Sequence, residues 1–198
     1  MGSTYVNNLR LEEMTTGEKS GTWGNITNVN LELVGQALGY GTRAIADAST
    51  DNITIADGAS DADRSMYLKL TGGGQACTIT LLPNTSSKMW IMENATSYTL
   101  TFSQGTGANV AIKAGQTKMI FADGLGGGAV VYELGTVAVQ NIQADGTVTV
   151  GIDDTGYDVT FFGATTGKKL FWDESADTLN VAGTTALAGS LSVTGVTS

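Results

Sequence analysis

Two groups of carboxylates draw the eye by their spacing: Asp153, Asp154 and Asp158, then Asp173, Glu174 and Asp177. Either could hold a calcium ion, because hard cations take several carboxylate oxygens. The first group, however, lacks the alternating Asp-x-Asp-x-Asp-Gly spacing and the terminal Glu of a cation loop. Acidic residues between short apolar runs also start turns and keep exposed strand edges from pairing. That second reading outweighs calcium, and the sequence assigns no metal. A carboxylate pair could also cleave a glycan, which needs two acids several ångströms apart in a cleft. With 19 Asp and Glu in the chain, some pair meets that spacing by chance. No local motif singles one out, and the expectation is a protein that is not an enzyme.

The remaining chemistry is mostly excluded. The chain has no histidine and one cysteine, Cys77, which removes Ser-His-Asp and Cys-His catalysis and every His- or Cys-cluster metal site. Cys77, in QACTITLLP, reads as a small core hydrophobe, since a reactive thiol needs a basic neighbourhood. The glycine runs at 71–78 and 123–129 lack the Gly-Lys-Ser/Thr ending of a phosphate loop and open no helix. No cofactor is expected.

Ten Lys and Arg against a net charge of −9 disfavour nucleic acid and anionic membranes as partners. No stretch approaches the 18 apolar residues of a membrane span. The N-terminus lacks a signal peptide's basic and apolar regions, and Val6 stands where myristoylation wants Ser or Thr. Assembly in a cytoplasm without membrane insertion is expected, so the Asn-x-Thr/Ser matches at Asn25, Asn52, Asn84 and Asn94 are read as chance.

The aromatic residues carry the sharper signal. Phe161 and Phe162 are adjacent, as are Phe171 and Trp172, and neighbours on a strand point to opposite faces. Each pair therefore puts a large ring on each side of a ribbon, and a lone ribbon would expose one of them. Association of several copies could bury both. Trp23, within SGTWGN, is either an anchor fixing the N-terminal arm to a helix or an intersubunit contact. Trp90 reads as core.

These residues sit on elements whose pattern is mainly β. Residues 1–42 form an extended arm plus one short helix. The helix is predicted over 25–38, with Ile26, Val29, Leu33 and Ala37 on one stripe, Asn25 as cap and Gly39 as stop. Residues 43–135 show period-two alternation in nine short runs with turn signals every 8–12 residues, which predicts a β-sandwich or small barrel. Residues 136–198 open with a connector and thin out into a sparse β ribbon: DVTFFG, KKLFWD, TLNVAG and SLSVTG. So few apolar residues without disulfide or metal staples cannot close a private core. The expected remedy is other copies of the same chain, the ribbon acting as a multi-chain shaft. The pattern stops in mid-ribbon, so the polypeptide is expected to continue beyond Ser198.

The block TYVNNLRLEEMTTGEKSGTWGNITNVNLELVGQALGYGTRAIAD resembles the start of tail-fibre-like virion proteins of tailed, marine-type bacteriophages. ENATSYTLTFSQGTGANVAIKAGQTKMIFADGLGGGAVV resembles the β domain that follows in them, and GIDDTGYDVTFFGATTGKKLFWDESADTLNV a module repeated across marine phage virion proteins. The resemblance implies a homotrimer located in the virion tail. Its N-terminal region would dock on a tail or baseplate protein, and its distal part would begin the shaft towards the host. On this footing the candidate interface residues are Trp23, Phe161, Phe162, Phe171 and Trp172. Two alternatives remain open: a head fibre or capsid decoration protein built from the same modules, and a glycan-binding or glycan-cleaving tail spike. The stacked rungs of a long β-helix, expected of a spike, are not visible in the sequence.

Overall fold

The computed structural model describes residues 2–135, 141–151, 153–190 and 192, in two compact units, Met1–Ala138 and Val139–Ser198. The described residues are mainly β, with twelve strands in three sheets and one α-helix.

The helix, α1, spans Trp23–Ala37. It starts two residues earlier than the pattern predicts. Thr22, not Asn25, is its N-cap, and no side-chain cap bond is made there. Leu33 and Ala37 are buried, but Val29 is exposed. Asn30 faces the arm instead: its amide donates to the Glu12 carbonyl at 2.9 Å and accepts from the Glu12 amide at 3.0 Å. That pairing mimics a strand ladder and satisfies both backbone groups.

The arm is tied down along its length. Thr4 and Glu13 form a bridge, the Asn7 side chain braces the backbone of Leu11, and Arg10 pairs with Asp57 at 2.6 Å. Gly58, at φ +58°, lies so close to the Tyr5 ring that an added Cβ would sit 2.6 Å from it. Only glycine accepts both that backbone and that contact.

Nine strands then run in the order the alternation predicts: β1 Tyr40–Ile45, β2 Thr50–Thr54, β3 Tyr67–Gly72, β4 Cys77–Leu82, β5 Lys88–Asn94, β6 Leu100–Ser103, β7 Val110–Ile112, β8 Thr117–Ala122 and β9 Val131–Glu133. They form two sheets, ordered β1-β3-β5-β8-β9 and β2-β4-β6-β7. Side chains from both sheets, among them Leu68, Leu70, Ile79, Leu81, Trp90 and Phe102, share one buried core, as in a sandwich. Neither sheet closes into a barrel.

The winding is the unexpected part. From β1 to β6 the chain alternates between the sheets and pairs parallel within each, β1 with β3 with β5 and β2 with β4 with β6. These are three stacked rungs of a flattened coil. The chain then reverses: β7 and β8 add antiparallel to β6 and β5, and β9 adds to β8.

The first rung is partly polar inside, although Ile45 and Ile53 on it join the core. Where the later rungs place Leu68, Leu70 and Ile79, it presents Gly41, Arg43 and Asp51 at the same register positions. The 3-10 turn Ala62–Arg64 covers this end, against Gly41, where a Cβ would meet Ser65 Oγ at 2.6 Å.

In the second unit, β10 Val159–Phe162, β11 Lys169–Asp173 and β12 Thr178–Ala182 form an antiparallel meander. Three of the four predicted ribbon strands are thus present. Most of the fourth, SLSVTG, and residues 136–140 of the expected connector lie outside the described residues. No described residue of this unit is buried.

Candidate assembly surfaces

The register of the distal meander sorts its side chains by face. Val159, Trp172 and Leu179 lie opposite one another across the three strands, as do Phe161, Leu170 and Val181. Cross-strand partners share a face and alternate residues return to it. Six apolar side chains therefore cover one side of the sheet without an interruption. In the single chain they stand in water: Phe161 is 62% and Trp172 38% exposed.

The other face is mixed. Phe162 lies beside Lys169 and Ala182, and Phe171 beside Thr160 and Asn180. The Lys169 ammonium stacks 4.4 Å from the Phe171 ring centroid, a cation–π contact that serves the ring while leaving the charge hydrated. Phe162 is 83% exposed. The aromatic pairs thus do place one ring on each side, as their adjacency requires. The two sides differ in kind: Phe161 and Trp172 belong to a continuous apolar face, Phe162 and Phe171 to a mixed one.

Trp23 opens α1 at the surface, 62% exposed. Leu31 on the same helix and Leu38 at its C-cap are exposed as well. Trp90 is buried in the core, its indole N–H donating to the Asp63 carbonyl at 3.0 Å.

The two acidic groups come together. Asp153, Asp154, Glu174 and Asp177 line one depression with Gly156 and Trp172. Their neighbours act in turns: Asp158 accepts from the Glu174 amide at 3.1 Å, and Asp173 accepts from the Ser175 hydroxyl and the Ala176 amide. Among the described residues no group of three or more His, Cys, Asp or Glu is placed to hold a metal ion. Cys77 is buried, and burial pushes its thiol pKa up.

The sequence reading missed an ionic cluster at the polar first rung. Arg43 pairs with Asp51 at 2.9 Å and also with Asp63. Burial raises the Asp63 pKa, more than the Thr54 amide and Arg43 lower it. Burial also pushes Asp51 upward, but the amides of Ala46 and Asn52 and the Arg43 guanidinium outweigh it, leaving that carboxyl below its ordinary value.

Arg64 is fully buried. Its guanidinium donates to the carbonyls of Leu9, Ala56 and Ala59 and to the Asp61 carboxylate, which ties the arm to the body. The available signal was an arginine directly after two aspartates, DADRS, in a chain poor in charge. This cluster is structural: the terminal guanidinium nitrogens and the carboxylates pair within the chain, while the Nε–H groups of Arg43 and Arg64 are buried without a partner.

No described helix is long and apolar enough to cross a membrane. Comparison with known protein families, curated proteins and solved structures finds no match to this chain.

Proposed function

We propose that this chain is a non-enzymatic structural component of a phage tail fibre, a homotrimer whose N-terminal part anchors to a tail or baseplate protein and whose distal part begins the shaft. The observation that carries this reading is the distal sheet: an uninterrupted apolar face in a unit where no described residue is buried. Such a face costs free energy in water at about 25 cal/mol per Å². Sister copies remove it at fixed stoichiometry, and obligate interfaces of this kind bury roughly 2,000 Å² or more. The resemblance of residues 4–47 to virion attachment regions supplies the location, and the tethered arm and exposed Trp23 supply a surface for docking.

A head fibre or capsid decoration protein would use the same modules. The three parallel rungs of the body also favour, more than the sequence did, the glycan-binding or glycan-cleaving spike. Gold-labelled antibody against the chain should decorate the tail in electron micrographs of the particle. Label on the capsid would overturn the tail assignment, and robust release of sugars from host envelope would overturn the non-enzyme reading.

A further inference from the structure

The five-stranded sheet has an outer face that the core does not use. Tyr40, Tyr67, Ile91 and Met119 stand in one register row across β1, β3, β5 and β8. Leu134 extends the row, its amide donating to the Met119 carbonyl at 3.1 Å. A second row holds Met89, Phe121 and Tyr132. All of these point away from the core, since the alternate residues Leu68, Trp90, Met92 and Ile120 fill it. The Tyr40 and Tyr67 rings stack at 5.5 Å, and Tyr40, Phe121, Tyr132 and Leu134 are exposed.

The four-stranded sheet is the internal control. Its outer rows are Thr50, Thr78 and Thr101, then Asn52, Thr80 and Ser103. One sheet turns a hydroxyl and amide ladder to water. The other turns aromatics, Met and Ile, the residue types enriched in interface cores.

We propose that the outer face of the five-stranded sheet packs against the same sheet of sister chains. This rests on the trimeric reading above and names where the copies meet. Charge decides the occupant. The charged neighbours on this face, Lys69 and Glu93, neutralise each other at 2.7 Å, although the chain as a whole carries −9. A basic partner finds no surplus carboxylate here and an acidic one no surplus ammonium, while a like face meets no repulsion.

Area agrees. Five strands about 4.8 Å apart with about 3.3 Å per residue give roughly 500 Å² of flat footprint. That footprint, which includes the Lys69–Glu93 pair, approaches the ~800 Å² each partner gives a specific interface once side-chain relief is added.

The test uses the full chain and two readouts. Met89 and Met119 lie on the face, and Met92 lies in the core. In wild type, peroxide should oxidise Met89 and Met119 at least tenfold more slowly in the assembled protein than at dilutions where it dissociates, with Met92 slow in both. Ile91→Glu should weaken assembly at least a hundredfold in a sedimentation dilution series, whereas Thr80→Glu on the hydroxyl face should leave it unchanged. Equal oxidation rates in assembled and dilute protein would show an open face and overturn the proposal, leaving the trimeric fibre intact. An Ile91→Glu variant that assembles as tightly as wild type has the same meaning. Wild type that is monomeric at micromolar concentration would overturn both.

Discussion

At the scale of single residues, the body depends on polar groups that composition alone does not announce. Asn94 is fully buried at the end of β5. Its side chain donates to the carbonyls of Tyr98 and Ile112 and accepts from the amide and hydroxyl of Thr96. The Asn-Ala-Thr match is therefore a loop organiser, and its hydrogen-bonding capacity is spent internally.

Arg64 matters more, because its charge lies where water cannot reach. Arg64→Met should lower the unfolding free energy by about 3–5 kcal/mol, the usual cost of breaking a buried ionic contact, and expose residues 1–22 to proteolysis by freeing the Leu9 carbonyl. It has a second signature. Lys88 is held down to about 8, chiefly by burial and next by the positive charge of Arg64. Between pH 8 and 10.5 the unfolded chain keeps a proton that folded Lys88 has shed, so wild-type stability rises with pH in that window. Arg64→Met should flatten that rise in denaturant melts recorded across the window; an unchanged slope would show that Arg64 does not govern Lys88.

At the scale of elements, the alternation of Met66 to Leu70 or Tyr98 to Phe102 was legible because one face of each strand is dry. Nine runs became nine strands, the first of them shifted from residues 44–49 to Tyr40–Ile45. What the pattern could not reveal is which strand pairs with which. Period two is the same whether a strand returns beside its predecessor or crosses to the opposite sheet, so the parallel rungs were invisible. The polar first rung was hidden for a related reason: Arg43 and Asp51 occupy inward positions that alternation assigns to apolar residues.

In the distal meander the adjacency of Phe161 and Phe162 gave the two-sidedness, but only register shows that Trp172 sits with Phe161 and not with Phe162. The faces therefore predict unequal effects. Phe161→Ser with Trp172→Ser should reduce the assembled mass measured by light scattering, whereas Phe162→Ser alone, on the face that keeps Lys169, should leave it nearly unchanged. Equal effects of the two variants would mean that the apolar face is not the one buried.

At the scale of the whole molecule, the two units differ in what holds them. The first has a shared core of aliphatic and aromatic side chains and an internal ionic tie to its arm. It has the means to fold as a single copy, and its outer sheet adds stability only on contact. The distal meander has three short strands with no described residue buried, and a sheet of this size is marginal without something packed on it. Assembly and folding of that unit are then linked by mass action: whatever binds the folded form and not the unfolded form stabilises it in proportion to the logarithm of concentration.

Amide exchange in β10 to β12 should consequently slow as protein concentration rises, by roughly a hundredfold in rate for each ~2.7 kcal/mol gained by association. The amides of β4 and β6, inside a core that the body closes by itself, should stay slow even at dilutions where the chains separate. The comparison is internal to one sample series, so buffer and temperature cancel. Concentration-independent protection in the meander would mean that three strands sustain themselves in isolation. The free-energy argument for sister copies at the distal sheet would then have no basis.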